Sequence, residues 1–311
     1  MRLLVIRIAA LALLLYSGVS FAQSKGGGSS DPFMLGENWR NDPTPLNNSG
    51  NYSVSGHTCR TDAGGIPCNA TINGAQKTLV LITLGASNGA SVGPSSFTPT
   101  NASAIDNFNI YDGALYQNLD PLLGQTQSNL GPGSIGPRLA DALITNGAFN
   151  RVILVPGAVG GATSTQYAPG GVLYGRGCVA MKRLESRGIT PATTGVTFSV
   201  IFFLGENDTG TSAANYQAFM QQQVAAMQAC GFSGRVFIPT ETILNNATNA
   251  TISGAQANLV ALGNPWFAGG NLDSLTGGTN RQADGTHFTA AGQASAATLV
   301  YNAMHATGAP F

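Results

Sequence analysis

Four short runs, Thr78–Leu84, Arg151–Pro156, Val196–Leu204 and Arg235–Thr240, are almost wholly apolar and rich in Val, Ile, Leu and Phe. Runs this short, with no polar alternation, read as strands covered on both faces. Between and after them lie segments with helical spacing: Ile135–Gly147, Cys178–Arg187, Ala213–Cys230, Ser253–Leu262 and Ala290–Ala306. Gly147, Gly188 and Gly231 are placed to end three of these, and Thr289 to cap the last. Strands alternating with helices predict a parallel sheet between two helix layers. Asp31–Gln76, Ser91–Pro132 and Leu272–His287 lack either period and are expected as loop. A loop as long as Ser91–Pro132 is usually functional, a lid or a binding wall.

The expected division of the chain is 1–22 as a leader, 23–76 as a linker and loop-rich extension, and 77–311 as one α/β domain. Met1–Ala22 has Arg2 in front, an apolar stretch, and Ser20 and Ala22 placed for cleavage, which predicts a secretory signal peptide. Gln23–Ser30 then reads as a flexible linker. No later segment is long and apolar enough to span a bilayer, so no stable membrane insertion is expected after cleavage. The 14 basic residues balance the 14 acidic ones, and charged residues make up only 9% of the chain. No field of either sign therefore points to nucleic acid or to an anionic membrane. The four cysteines fit an exported protein, expected secreted or periplasmic. Cys59 with Cys68 and Cys178 with Cys230 is the expected pairing among three possible ones. None forms a C-x-x-C pair, and no metal or cofactor is expected.

The first strand runs into Gly85-Ala86-Ser87-Asn88-Gly89. Glycines on both sides allow a tight turn that presents Ser87 at the carboxyl edge of the sheet, where open α/β folds place their ligands. On its own this could be a turn with a capping serine. Three further elements change the balance. Asp284-Gly285-Thr286-His287 puts a carboxylate three residues before a histidine, close enough to orient the ring as a base for the serine. Asn207, in Gly205-Glu206-Asn207-Asp208 after the third strand, can supply an amide donor to an oxyanion. Gly161, in the glycine-rich Gly157–Ser164, can bring a backbone N–H to the same place, with Gly160 as the alternative. Glu206 is expected to buttress the site without moving a proton.

The blocks GASN, GGAT, GEND and DGTH occur in the order of the SGNH (GDSL-type) hydrolases. With YDGALYQNLDPLLGQ, GSIGPRLADALI and VILVPGAVGGATSTQYAPGG between them, residues 78–300 resemble the sialate O-acetylesterase-like carbohydrate esterases. The resemblance implies a three-layer α/β/α sandwich with a flavodoxin-like parallel sheet. It implies Ser87 as nucleophile, His287 as base, Asp284 as its orienting acid, and an oxyanion hole from Ser87, Gly161 and Asn207. The substrate implied is an acetylated sugar or polysaccharide. Two departures stand out: Ala86 replaces the aspartate of GDS, and Leu204 replaces the glutamine those acetylesterases carry before Gly-Glu.

Four other readings compete. Gly85-x-Ser87-x-Gly89 also fits the nucleophile elbow of α/β-hydrolases, but Ser87 follows the first strand and Asp284 shares a loop with His287. A general short-chain esterase, or a glycan-binding protein that has lost catalysis, would share the fold. A phosphate binder would need a Walker-type lysine after a glycine-rich turn, and none is present. Tyr111, Tyr116, Tyr167 and Arg176 are candidate glycan contacts. Arg138 and Arg176 are candidates for a sugar carboxylate.

Overall fold

A computed structural model describes residues 56–125 and 131–308. The leader and linker predicted for residues 1–30 lie outside the described residues. Seven strands form one sheet: β1 Thr78–Gly85, β2 Ile105–Asn109, β3 Ala114–Gln117, β4 Arg151–Pro156, β5 Val196–Phe203, β6 Arg235–Thr240 and β7 Trp266–Asn271. Their spatial order is β3-β2-β4-β1-β5-β6-β7. All neighbours are parallel except the β2–β3 hairpin. Without that hairpin the order is the 2-1-3-4-5 of flavodoxin-like sheets, with its switch point beside β1. Among the described residues seven α-helices are present: α1 Ile135–Thr145, α2 Ser164–Tyr167, α3 Arg176–Ser186, α4 Ala213–Ala229, α5 Ala250–Ala261, α6 Gly277–Asn280 and α7 Ala290–Ala306.

β1 is buried along its whole length. Its side chains alternate between two cores. Val80, Ile82 and Leu84 pack with Met181 and Leu184 of α3, Met220 and Val224 of α4, and Leu259 of α5. Leu79 and Leu81 pack with Leu139 and Leu143 of α1 and with Val300 and Met304 of α7. Each such aliphatic side chain contributes about 1.5–3 kcal/mol by leaving water. The expected three layers are therefore present, with β1 as their common strand. Among the described residues no helix is long and apolar enough to cross a membrane.

Three strands depart from the sequence reading. β2 and β3 lie inside Ser91–Pro132, which was expected as irregular loop. The hairpin was hidden because it buries polar residues in place of an apolar alternation. Asp106, Asn107 and Asn109 are all buried. Asp106 takes ion pairs from Arg60 and Arg151, and Asn107 accepts from the Leu123 N–H at 2.7 Å and donates to its carbonyl at 3.0 Å. β7 was missed because it carries Gly269 and Gly270; a Cβ on Gly269 would sit 2.6 Å from the Pro239 nitrogen.

The disulfides are Cys59–Cys68 and Cys178–Cys230, as expected. The first staples a small loop that lies along β3, with Gln117 N–H donating to Thr58 O at 2.9 Å and Leu115 N–H to Cys68 O at 3.0 Å. This covers a free sheet edge. The second joins α3 to the end of α4.

Gly85 ends β1 with φ +121°, and a Cβ there would lie 2.0 Å from the Phe203 carbonyl oxygen. Gly85→Ala is therefore expected to lower stability by more than about 2 kcal/mol. A circular-dichroism melt of the variant checks this, and an unchanged midpoint would contradict the close packing described.

Candidate active site

Ser87 opens a single 3-10 turn, Ser87–Gly89, directly after β1. Gly85 sets that turn against β5, and the Tyr167 hydroxyl locks it, accepting from the Gly85 N–H and donating to the Gly85 carbonyl, both at 3.0 Å. Ser87 is buried to 4% exposure. Across from it, the loop between α6 and α7 carries His287. The His287 Nε2 is 2.8 Å from Ser87 Oγ, and its Nδ1 is 2.6 Å from Asp284 Oδ2. The other Asp284 oxygen accepts the Thr286 and His287 backbone N–H groups at 2.8 and 2.9 Å. Partial burial pushes the Asp284 pKa up. The Thr286 N–H and the His287 ring and N–H outweigh it, so the net pKa falls below the ordinary 3.8. An ionised Asp284 on Nδ1 leaves Nε2 to accept a proton from Ser87.

The other two expected oxyanion donors, Gly161 and Asn207, lie on neighbouring loops. Asn207 follows β5 and donates from Nδ2 to Ala162 O at 3.3 Å. That places its amide beside Gly161 and leaves its second N–H available. Gly161 has φ +73°, is exposed, and has open space where a side chain would stand. Asp208 clips the two loops together: Oδ1 accepts the Ser164 N–H at 3.0 Å and the Ser164 hydroxyl at 2.6 Å.

Beneath this edge are acids and a base that motif reading passed over, save Glu206. Glu206 and Glu241 are almost fully buried. No donor makes a well-formed hydrogen bond to their carboxylate oxygens. Burial pushes the Glu206 pKa up to about 7; its own N–H pulls it down, Asp208 adds to the rise, and Arg281 and the Asn88 N–H oppose it. Burial, then the Glu206 charge, pushes Glu241 well above its ordinary value. Arg281 is buried nearby. The available signal was their rarity: in a chain this poor in charge, Glu241 just after a strand and Arg281 three residues before Asp284 stand out.

The expected glycan contacts are corrected. Tyr111, Tyr116, Tyr167 and Arg176 are core residues, each at most 5% exposed. Tyr167 holds Gly85, and Tyr116 donates to Asp112 at 2.8 Å. Arg176 donates to Gly157 O at 2.5 Å and Gly124 O at 2.8 Å. Aromatic and cationic side chains in glycine-rich loops look exposed in a sequence, but here they fill space and bind carbonyls the glycines leave. Arg138 is half-buried, 4.4 Å over the Phe97 ring. Among the described residues no cluster of three or more His, Cys, Asp or Glu is placed to hold a metal.

A family model described as carbohydrate esterase, sialic acid-specific acetylesterase, matches residues 80–306. No curated protein matches the chain. Among solved structures, a protein from Arabidopsis thaliana is similar at 18% identity and TM-score 0.58, covering 73% of this chain and 98% of that one. A structure titled NanS is similar at 13% identity and TM-score 0.49, covering 75% and 97%. A Clostridium thermocellum family 3 carbohydrate esterase is similar at 14% identity and TM-score 0.46, covering 74% and 97%. The Arabidopsis likeness bears on the fold.

The raised buried acids set the pH dependence of stability. The folded state keeps a proton on Glu206 that the unfolded chain loses above about 4.5. Stability from this group is therefore full below about 4.5 and is lost as pH rises through about 7. Asp120, pushed up to about 6 by burial, acts in the same direction. Asp284, lowered, has its effect only in stronger acid. The melting midpoint should be higher at pH 5 than at pH 8, and Glu206→Gln should flatten the decline. A midpoint that climbs from pH 5 to 8 would contradict this assignment.

Proposed function

Because the chain belongs to the sialic acid-specific acetylesterase family of carbohydrate esterases and is a carboxylic ester hydrolase, we propose that it removes O-acetyl groups from a carbohydrate by serine catalysis. One observation carries the mechanism: Ser87 Oγ, His287 and Asp284 form an unbroken chain of hydrogen bonds of 2.8 and 2.6 Å. Ser87 Oγ attacks the acetyl carbonyl while His287 Nε2 takes its proton. Asp284 holds Nδ1–H and stabilises the imidazolium that forms. The carbonyl oxygen becomes an oxyanion, received by the N–H groups of Ser87 and Gly161 and by the Asn207 amide. Collapse of this intermediate expels the sugar hydroxyl, which takes the proton from His287, and leaves an acetyl-Ser87. Water, deprotonated by His287, then attacks the acyl carbonyl in the same hole; collapse breaks the bond to Ser87 Oγ, which takes the proton back from His287, and acetate leaves.

Asn207 is the amide donor in this proposal because Leu204, at the position of the glutamine of related acetylesterases, is fully buried and apolar. Arg138 is the remaining candidate for a charged group on the sugar. We place the protein outside the cytoplasm, secreted or periplasmic. Both disulfides support this, since such bonds persist in oxidising compartments. The Met1–Ala22 leader supports it from the sequence.

Acetate release from a panel of acetylated sugars and polysaccharides tests the reading and identifies the substrate. Ser87→Ala should leave almost no turnover at an unchanged melting temperature; substantial residual activity would remove Ser87 as nucleophile. Asn207→Ala should lower kcat by roughly 100- to 1000-fold. A rate near that of the wild type would take the amide out of the oxyanion hole.

A further inference from the structure

Arg281 has no part in the reaction steps above, yet it is among the most completely buried large side chains. Its guanidinium makes three hydrogen bonds, all to backbone carbonyls. Nε donates to Leu275 O at 2.8 Å, Nη1 to Thr286 O at 2.6 Å and Nη2 to Leu272 O at 2.9 Å. Its flat face lies 3.9 Å over the Phe288 ring. Thr286 and Phe288 are the two neighbours of His287 in the chain. Arg281 therefore grips the base loop from both sides of the histidine and ties it to the segment after β7.

The Thr286 carbonyl has a second donor. Asn88 Nδ2 reaches it at 3.3 Å, and Asn88 is the residue after Ser87. One carbonyl oxygen, next to the base in sequence, is thus held from the nucleophile turn and from the buried arginine. The loop is braced further by Gln282, whose N–H donates to His287 O at 2.7 Å and whose side chain donates to Phe288 O at 2.9 Å. Glu241, Asp273, Glu206 and Asp284 are the acidic groups that face the guanidinium. Glu241 and Glu206 are buried and make no well-formed hydrogen bonds of their own. A buried guanidinium keeps its proton and needs negative charge close by; Asp284, held below its ordinary pKa, is such a charge.

We propose that Arg281 is a positioning residue for the ester hydrolysis: through the Thr286 carbonyl it keeps the His287 ring in hydrogen-bonding register with Ser87. The proposal rests on His287 serving as the base for Ser87. It uses what an arginine has and a lysine lacks, a rigid fork that reaches three carbonyls at once. Proton transfer is sensitive to geometry, and a misplacement of about 1 Å can lower the rate roughly 100-fold. Substrate binding does not pass through this arginine, so the effect belongs in kcat.

The test measures kcat and KM for 4-nitrophenyl acetate on full-length Arg281→Lys and Asn88→Ala, with rates corrected for the folded fraction. Arg281→Lys should lower kcat roughly 10- to 100-fold with KM little changed. Asn88→Ala should lower kcat in the same way, and the double variant should fall short of the product of the two effects, because both act on one carbonyl. An Arg281→Lys protein that melts earlier but turns over at the wild-type kcat would overturn the proposal, as would a change confined to KM. If Arg281→Lys does not fold, Asn88→Ala decides: a wild-type kcat there overturns it. Ser87→Ala separates the two readings. If Ser87→Ala stays active, the base assignment itself fails. If Ser87→Ala is inactive and Arg281→Lys is fully active, the positioning role alone fails.

Discussion

The site depends on a place where no side chain fits. At the end of β1 the chain passes so close to the Phe203 carbonyl of β5 that only glycine can occupy position 85. Tyr167 then bonds both the N–H and the carbonyl of that glycine. β1 is buried on both faces, so the strand cannot slide or tilt to relieve a misfit there. The turn that follows has one position open to it, and Ser87 is delivered to the same spot in every folded molecule. The loop that carries His287 reaches that point, with Nε2 2.8 Å from Ser87 Oγ.

Few charges are present, and many of them are used inside. Asp106 takes Arg60 from the disulfide-stapled loop and Arg151 from β4, joining the extension to the sheet. Asp208 joins the β5 loop to the glycine-rich loop. Arg281, Glu241 and Glu206 form a third group beneath the loop that carries His287. Each of these desolvated groups is unfavourable alone and favourable as part of a set. The surface is left to Gly, Asn, Ser and Thr, whose side chains carry turns and caps such as those of Ser212, Asn249 and Thr289.

Local signals that agree with the tertiary outcome were legible. The all-apolar strands were, and so was the Thr289 cap, because burial on both faces and a hydroxyl before a helix leave simple patterns. The β2–β3 hairpin was not, because its inward positions are Asp and Asn, made acceptable only by Arg60, Arg151 and the Leu123 backbone. The tyrosines and Arg176 misled for the opposite reason. They sit in sequence among residues typical of exposed loops, while in space all are core residues, and Tyr167 and Arg176 bond the carbonyls of glycines elsewhere in the chain. β7 was obscured by Gly269, packed against Pro239, and Gly270, packed against Leu299.

By itself the sequence determined the chemistry available: a serine on a glycine-bracketed turn, an aspartate three residues before a histidine, and glycine and asparagine at strand ends. These follow from side-chain type and short spacing, which a linear chain displays directly. Tertiary structure alone decided that Ser87 Oγ and His287 Nε2, 200 residues apart, stand at 2.8 Å. It alone put Asn88 and Arg281 on one carbonyl, and buried Glu206 and Glu241 beside that arginine. Those relations depend on how two strand ends and a distant loop pack, and packing at that separation leaves no period, cap or motif in the chain.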